Sequence, residues 1–184
     1  MSGALARRAF LRMAGGAAAC ACSASNAPAS APSCATDGTG PGLSYCLIAS
    51  KKLRVPGGAR IGPGQVVMAV LDDNTAGILA RDAKGLYALS ATCTHACCTV
   101  NVCVDAACAA PVTTPAPCAS PAVLTLPAGA PAFLCPCHGS EYQADGTVVR
   151  GPAPKALPSL AVEVDGDDAL IDMSRTVEPT ARVG

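Results

Sequence analysis

The sequence has few aromatic residues and no excess charge of either sign. Aromatic side chains make up 3% of its 184 residues, tryptophan is absent, and three Tyr and two Phe are too few for a surface on which nucleic-acid bases stack. The formal net charge is zero, so the chain also lacks the basic surface that binding to a phosphate backbone requires. We therefore expect no nucleic-acid partner, and a core built from Val, Leu, Ile and Ala.

Long helices and membrane spans are not indicated either. The chain contains 18 Gly and 16 Pro, which favour turns and loops. No repeat and no amphipathic helix stands out. The apolar run near the N terminus, "MAGGAAACACSAS" at residues 13–25, is shorter than the roughly 20 apolar residues that span a bilayer.

The N terminus has the pattern of an export signal. Arg7 and Arg8 precede the apolar run, and the small-residue segment "NAPASAPS" follows it, an order typical of twin-arginine signals. The alternative is a short basic helix. We expect residues 1–25 to direct export, so that the protein works in the periplasm or on the outer side of the cytoplasmic membrane. Cys20 is a candidate lipid-attachment site.

Short apolar runs separated by turn residues predict an antiparallel β domain over residues 46–175. Three strands in hairpin succession are expected at "QVVMAVLDD", "TAGILARD" and "GLYALSA". A second hairpin is expected from Leu160–Val164 to Ala169–Asp172. Residues 26–45, rich in Ala, Pro, Ser and Gly, are predicted to form a flexible linker, and residues 176–184 a tail.

Twelve cysteines are the strongest compositional feature. In a cytosolic protein they would indicate metal sites, and in an exported protein disulfides. The only two histidines of the chain both stand near cysteines, as Cys93-x-His95 and Cys135-x-x-His138. Two thiolates and two imidazoles can bind Zn²⁺ or a [2Fe–2S] cluster. The other cysteines of these two segments are then free to pair.

The segments "CTHACC" at residues 93–98 and "CPCHGS" at residues 135–140 together resemble the signature of the Rieske iron–sulfur proteins, in their high-potential, quinol-oxidising branch. The resemblance runs from about Val66 to Asp172, and "GLYALSATCTH" is similar to the strand that leads into the first cluster loop. It implies an all-β Rieske domain of antiparallel β-sheets. It also implies a small, loop-rich cluster-binding subdomain at about residues 92–154 and one [2Fe–2S] cluster per chain.

The resemblance implies a role for each residue of the two segments. Four would be cluster ligands, one pair on each iron: Cys93 with Cys135, and His95 with His138. Cys98 and Cys137 would form the disulfide found in high-potential members, and Ser140 and Tyr142 would donate hydrogen bonds to sulfur atoms. The loop "GPAP" is similar to the proline loop that shields the cluster: Gly151, Pro152, Ala153 and Pro154.

The ligand chemistry agrees with an electron carrier of high potential. Two neutral imidazoles in place of two thiolates make reduction easier, and Rieske centres span about −150 to +300 mV. Hydroxyl donors to sulfur raise the potential further. The alternatives are a Cys₂His₂ zinc site, ordinary turn and core roles for Ser140 and Tyr142, and free thiols at Cys98 and Cys137.

The stretch at residues 99–134 departs from the family pattern, because it is longer than usual and carries three additional cysteines. Position 97 is Cys where Gly is usual, and Ala96 stands where quinol-oxidising members have a Leu that helps to dock cytochrome b. Six cysteines remain whose pairing the sequence leaves open: Cys34, Cys46, Cys97, Cys103, Cys108 and Cys118. We predict at least one disulfide among the last four of these, ordering a lid beside the cluster.

We expect one-electron transfer through the cluster, with no catalytic residue in the chain itself. The chain would act as a subunit or partner of an exported or membrane-associated oxidoreductase. A quinol-oxidising respiratory chain is the first choice, with cytochrome b- or c-type partners and quinol at the exposed histidines. The alternatives are the small subunit of an exported molybdenum oxidase similar to arsenite oxidase, a Rieske ferredoxin of an oxygenase, and a disulfide-rich zinc or structural module. Membrane association would come through the N terminus or through a partner.

Overall fold

The computed structural model describes residues 47–48, 51–72, 75–109, 122–129 and 131–184. The predicted signal region and linker lie outside the described residues, and the statements made about them stay predictions. Within the described ranges the only helix is a single 3₁₀ turn, Gly58–Arg60, and no helix is long and apolar enough to cross a membrane.

Twelve strands make the described chain an all-β protein, as predicted. In chain order they are β1 (Leu47–Ile48), β2 (Lys52–Val55), β3 (Gln65–Asp72), β4 (Thr75–Asp82), β5 (Gly85–Ser90), β6 (Asn101–Val102), β7 (Val123–Thr125), β8 (Phe133–Leu134), β9 (Glu141–Tyr142), β10 (Val148–Arg150), β11 (Ser159–Asp165) and β12 (Asp168–Thr176). The expected succession of three strands is β3 to β5, and the expected second hairpin is β11 with β12. Both predictions are confirmed.

Eight of the strands form one antiparallel sheet, in the order β1-β2-β12-β11-β5-β4-β3-β7. Ile78 of β4 lies opposite Met68 of β3 on one side and opposite Leu89 of β5 on the other. Cross-strand apolar neighbours of this kind stabilise a sheet. The second part of the fold packs against the row formed by Met68, Ile78 and Leu89.

Apolar side chains are buried on both faces of this sheet, which explains why β3 to β5 are nearly continuous apolar runs. On one face Leu79 belongs to a core cluster that includes Ile171 of β12, so the sheet curls back onto itself. On the other face Ile78 belongs to a cluster that includes Phe133 and Tyr142. Each fully buried side chain of this size contributes about 1.5–3 kcal/mol to folding.

The second part is a small sheet of four strands, in the order β10-β9-β8-β6. Its buried apolar side chains are Val102, Phe133 and Tyr142, and they pack with Met68, Ile78 and Leu89 of the large sheet in one core. The small sheet and its loops lie between the end of β5 at Ser90 and the start of β11 at Ser159. The subdomain bounds of about 92–154 stay a prediction, because β7 lies within them and belongs to the large sheet.

The long stretch at residues 99–134 contributes to both sheets. Its ends contain β6 and β8 of the small sheet, whereas β7 pairs with β3 and becomes an edge of the large sheet, with Leu124 opposite Val66. This pairing was not predicted. Residues 110–121 lie outside the described residues, so the lid expected beside the cluster stays a prediction.

The residues predicted as a tail pack against β5. Val183 and Leu86 exchange two backbone hydrogen bonds of 2.9 Å. The Arg182 guanidinium lies 4.0 Å from the centre of the Tyr87 ring and 2.6 Å from Asp82. Burial acts to raise the pKa of Asp82, but hydrogen bonds from Arg182 and from nearby backbone amides outweigh it, and the pKa lies below its ordinary value.

Candidate metal centre

Two loops with the same backbone hydrogen bonds carry the Cys-His motifs. In the first loop the Cys93 N–H donates to the Cys98 carbonyl at 2.8 Å, and the Cys97 N–H donates back to the Cys93 carbonyl at 3.0 Å. In the second loop Cys135 occupies the place of Cys93. Its N–H donates to the Ser140 carbonyl at 2.8 Å, and its carbonyl accepts from the Gly139 N–H at 3.0 Å.

The fifth residue of each loop is in the left-handed region, which explains one of the departures from the family pattern. Gly139 has φ of 72° and Cys97 has φ of 59°. Glycine adopts this conformation freely, whereas another residue is strained by about 1–2 kcal/mol. Cys97 nevertheless adopts this conformation, and it is disulfide-bonded. The pairing of Cys97 lies outside the described residues.

The two motif thiols meet at the centre of the site. Cys93 and Cys135 are each 1% exposed, and among the described cysteines they alone are outside a disulfide. The two thiols lie close enough that each shifts the pKa of the other. Two buried thiols in contact are therefore available as thiolate ligands.

The surroundings of the two thiols differ. Burial acts to raise the pKa of Cys93, but hydrogen bonds from the Tyr142 hydroxyl and from the His95 amide outweigh it, so the pKa lies below its ordinary value. Burial, together with the bond to Cys93, raises the pKa of Cys135.

The two imidazoles lie side by side. The ring centres of His95 and His138 are 4.7 Å apart and the rings are nearly perpendicular, at 87°. His95 Nδ1 is buried and has no hydrogen-bond partner. A buried ring nitrogen without a partner costs folding free energy unless it binds something, because buried polar groups are normally paired. This nitrogen fits a metal ligand.

A disulfide joins the two loops. Cys98 and Cys137 are bonded, with their Cα atoms 6.5 Å apart, as the family resemblance implies. The sulfur atoms of Cys98, Cys135 and Cys137 lie within 4.8 Å of one another. These three sulfurs are a poor metal site by themselves, because two of them share a disulfide and carry no thiolate charge.

A second described disulfide, Cys103–Cys108, closes a short turn after β6. It fulfils the prediction of at least one disulfide within the set of Cys97, Cys103, Cys108 and Cys118. The Asp105 carboxylate accepts hydrogen bonds from the Ala107 and Ala109 amides at 3.0 and 3.1 Å, and this cap orders the same turn.

The two predicted hydroxyl donors are both fully buried, Ser140 and Tyr142 at 0% exposure. The Tyr142 oxygen is 3.2 Å from the Cys93 sulfur and accepts the Thr94 amide N–H at 3.3 Å. Burial raises the pKa of Tyr142 to about 12, so the phenol keeps its proton and donates it to the sulfur. The Ser140 oxygen accepts the Ala153 amide N–H at 3.0 Å.

The loop at residues 151–154 lies over this site. Gly151, Pro152 and Pro154 are exposed, whereas Ala153 turns inward and is 8% exposed. Just beyond it, the Lys155 carbonyl accepts a hydrogen bond of 2.6 Å from the Thr94 hydroxyl. The loop is thus attached to both halves of the site, through Ser140 and through Thr94.

Thr94 and the Ala153 amide are the parts of the site that sequence reasoning missed. Thr94 stands between the Cys and the His of the first motif, and the motif itself was the only signal for it. A backbone amide has no signature in the sequence, so the role of Ala153 could only come from the structure. The residues present suit a metal with two thiolate and two imidazole ligands.

Comparison with known proteins agrees with this chemistry. A family model described as the Rieske [2Fe–2S] domain matches residues 45–161. The cytochrome b6-f complex iron-sulfur subunit of Parasynechococcus marenigrum is 36% identical over 103 residues, which are 56% of this chain and 43% of that protein. A subunit of the same name from Prochlorococcus marinus is 32% identical over 124 residues, 67% of this chain and 55% of that protein.

The chain therefore spans about half the length of the curated relatives that it matches. Among solved structures, the cyanobacterial plasma membrane Rieske protein of Synechocystis PCC 6803 superposes with a TM-score of 0.37 and 23% identity. That match covers 72% of this chain and 98% of the other.

Proposed function

The chain belongs to the Rieske [2Fe–2S] family, and from this premise we propose that it carries single electrons through a cluster bound by Cys93, His95, Cys135 and His138. One observation carries the proposal. Two loops of equal backbone structure place two buried thiols in contact and two imidazole rings 4.7 Å apart. This donor set matches the ligands of a Rieske centre.

The four side chains divide the work between them. Cys93 and Cys135 supply negative charge from the buried side of the site, and His95 and His138 supply neutral nitrogens from the side that includes the exposed His138. When bound, the cluster supplies a one-electron redox centre with a potential in the range of about −150 to +300 mV. The histidine side is the shorter path to a partner protein.

The surrounding hydrogen bonds favour the upper part of that range. Tyr142 donates to the Cys93 sulfur at 3.2 Å, and Ser140 is a second buried hydroxyl beside the loops. Each donor stabilises the additional negative charge of the reduced state. The Cys98–Cys137 disulfide holds the two ligand loops together, so that these distances change little when the charge changes.

The partner that we propose is a cytochrome of a quinol-oxidising chain. The curated relatives are named as subunits of cytochrome b6-f complexes, and the disulfide and hydroxyl positions support the same branch. Ala96 stands at the tip of the first loop, where quinol-oxidising members have a Leu that helps to dock cytochrome b, so the contact with the partner should differ at this point. The twin-arginine pattern of residues 1–25 supports a second candidate, the small subunit of an exported molybdenum oxidase.

We place the protein on the exported side of the membrane. The twin-arginine pattern of residues 1–25 supports this location. So do the disulfides Cys98–Cys137 and Cys103–Cys108, because disulfides persist in oxidising compartments and are rare in the cytosol.

Rapid-mixing kinetics test the function. The purified holoprotein, once oxidised, should be reduced by a short-chain quinol, and the reduced protein should pass its electron to a soluble c-type cytochrome. Protein freed of iron by a chelator is the control and should do neither. A cluster-containing protein that exchanges electrons with neither compound would contradict the quinol-oxidising role. A colourless protein that contains zinc would contradict the family function itself.

A further inference from the structure

The hydroxyl of Ser140 has one hydrogen-bond partner in the structure and lacks a second. The side chain is fully buried, and its oxygen accepts the Ala153 N–H at 3.0 Å. Within the described part of the chain, its hydrogen has no acceptor. Buried polar hydrogens are almost always paired. The hydrogen must therefore find its acceptor in what the site binds.

Tyr142 shows how such a pair is arranged when both partners are visible. Its oxygen accepts the Thr94 N–H and lies 3.2 Å from the Cys93 sulfur, nearer than the 3.4 Å to the Thr94 hydroxyl, which donates to the Lys155 carbonyl. A hydroxyl carries one hydrogen and accepts at its lone pairs. The amide therefore occupies a lone pair and directs the hydrogen away from itself, toward the sulfur.

We propose that the Ala153 amide is a positioning group for Ser140. By occupying a lone pair of the Ser140 oxygen, it turns the hydroxyl hydrogen toward a sulfur of the bound cluster. This rests on the proposed function, and it assigns to the loop at residues 151–154 a direct effect on the redox potential, beyond covering the site. Without the amide, the hydroxyl could rotate among its staggered positions.

The structure holds the amide firmly enough for this role. Ala153 is 8% exposed between exposed neighbours, so its side chain anchors the loop in the core. After it, the Lys155 carbonyl is bonded to the Thr94 hydroxyl at 2.6 Å, and Leu157 is 3% exposed. Three attachments within five residues leave the amide little freedom to move away from Ser140.

Replacing the Ala153 amide by an ester tests the proposal. Incorporation of lactic acid at position 153 by nonsense suppression removes the N–H and leaves the side chain unchanged. We expect voltammetry of the holoprotein to show a potential about 28 mV lower than that of the wild type. This shift corresponds to an equilibrium constant for one-electron reduction that is about threefold smaller, since about 59 mV corresponds to a tenfold change. In the Ser140→Ala background the same ester should cause no further shift.

The same ester at Ala156 is the matched control, because this residue is exposed shortly after the loop and its N–H donates to no described acceptor. It should leave the potential unchanged. An equal shift with and without the Ser140 hydroxyl, or no shift at all, would overturn the proposal. In either case the wild-type protein would still show the Rieske EPR signal, so the proposed function would not be contradicted.

A second measurement decides the matter if the ester prevents cluster assembly. Among the exchangeable-proton couplings in proton ENDOR of the reduced wild-type protein, one narrow coupling should be absent in Ser140→Ala, whereas the coupling from the Tyr142 hydroxyl should remain. The same set of couplings in both proteins, or a broad distribution in place of the lost coupling, would mean that the Ser140 hydroxyl is not held toward a sulfur.

Discussion

Replacing Tyr142 by Phe removes one oxygen atom next to the Cys93 sulfur. The ring is fully buried in the core shared by the two sheets, and Phe fills the same space, so the fold should survive. The hydroxyl is 3.2 Å from the sulfur and is held there by the Thr94 amide at 3.3 Å. We expect the Tyr142→Phe protein to assemble its cluster with a lower redox potential.

The magnitude follows from the strength of one hydrogen bond. A hydrogen bond to a charged group contributes about 1.5–3 kcal/mol, and a neutral one about 0.5–1.5 kcal/mol. Reduction adds negative charge at the sulfur, so the hydrogen bond strengthens from the neutral range toward the charged range. The difference between the two ranges is about 1 kcal/mol. Since about 1.4 kcal/mol corresponds to about 59 mV for one electron, the potential should fall by about 40 mV.

Film voltammetry measures the shift, and Tyr87→Phe is the matched control. Tyr87 is also a buried tyrosine in the same core, but its hydroxyl donates to the Ala144 carbonyl at 3.0 Å and not to a sulfur. It should lose stability without a change in potential. A Tyr142→Phe protein at the wild-type potential, or an equal fall in Tyr87→Phe, would refute the reasoning.

Three further changes test the scaffold of the site. Converting both Cys98 and Cys137 to Ser should lower the free energy of unfolding by about 4 kcal/mol in a chain-entropy model, since the bond spans 39 residues, as urea titration would show. Gly139→Ala should cost about 1–2 kcal/mol in the same assay, from backbone strain alone, because no atom lies within 4 Å of the added Cβ. Asp82→Asn should cost about 0.5 kcal/mol at neutral pH, since the Asp82 side chain is 35% exposed and its attraction to Arg182 is partly screened by solvent. Folding lowers the pKa of Asp82. The stability difference between the wild type and Asp82→Asn should therefore be present at pH values above the pKa of Asp82 in the unfolded chain, and it should vanish as the pH falls through the pKa of Asp82 in the folded protein.

Each of these three has its own control and its own contrary result. Opening the short Cys103–Cys108 loop, with a separation of 5 residues, should cost only about 2 kcal/mol, and an equal loss for both disulfides would contradict the loop-length argument. Gly62→Ala, at a glycine without positive φ, should be nearly neutral. A penalty for Asp82→Asn that stays constant through the acid range would exclude a role for the carboxylate charge.

The strands of the large sheet were predictable where the signal is local. Strands β3 to β5 are apolar runs joined by turn residues, and β11 with β12 is a hairpin whose turn is rich in Asp and Gly. Pairings between distant segments were not predictable. The edge strand β7 joins β3 across a sequence separation of about 60 residues, and no pattern in its three residues indicates that partner.

The candidate site could be predicted more fully than the fold, because its chemistry is carried by side chains at fixed spacings. Cys93, His95, Cys135 and His138 were identified from two short motifs, and the structure places the two thiols next to each other and the two imidazole rings 4.7 Å apart. What the motifs could not reveal is the backbone around them. The amide that bonds to Ser140 belongs to a loop more than ten residues further along the chain.

Cys97 is an instructive difference between pattern and structure. The resemblance predicts Gly at this position, and the left-handed backbone explains why. The residue that stands there is strained, yet it is held in a disulfide. Sequence comparison identifies the departure, while only the backbone angle shows that the first ligand loop is strained at this residue.

The EPR spectrum of the reduced His138→Cys protein tests the central claim most directly. If His138 is a ligand, a thiolate in its place adds negative charge to the centre, so the potential should fall and the Rieske-type signal should disappear while an iron–sulfur cluster remains. His138→Ala, which offers no ligand atom, should lose the cluster. An unchanged Rieske signal and potential in His138→Cys would contradict the claim that this site binds the cluster through two histidines.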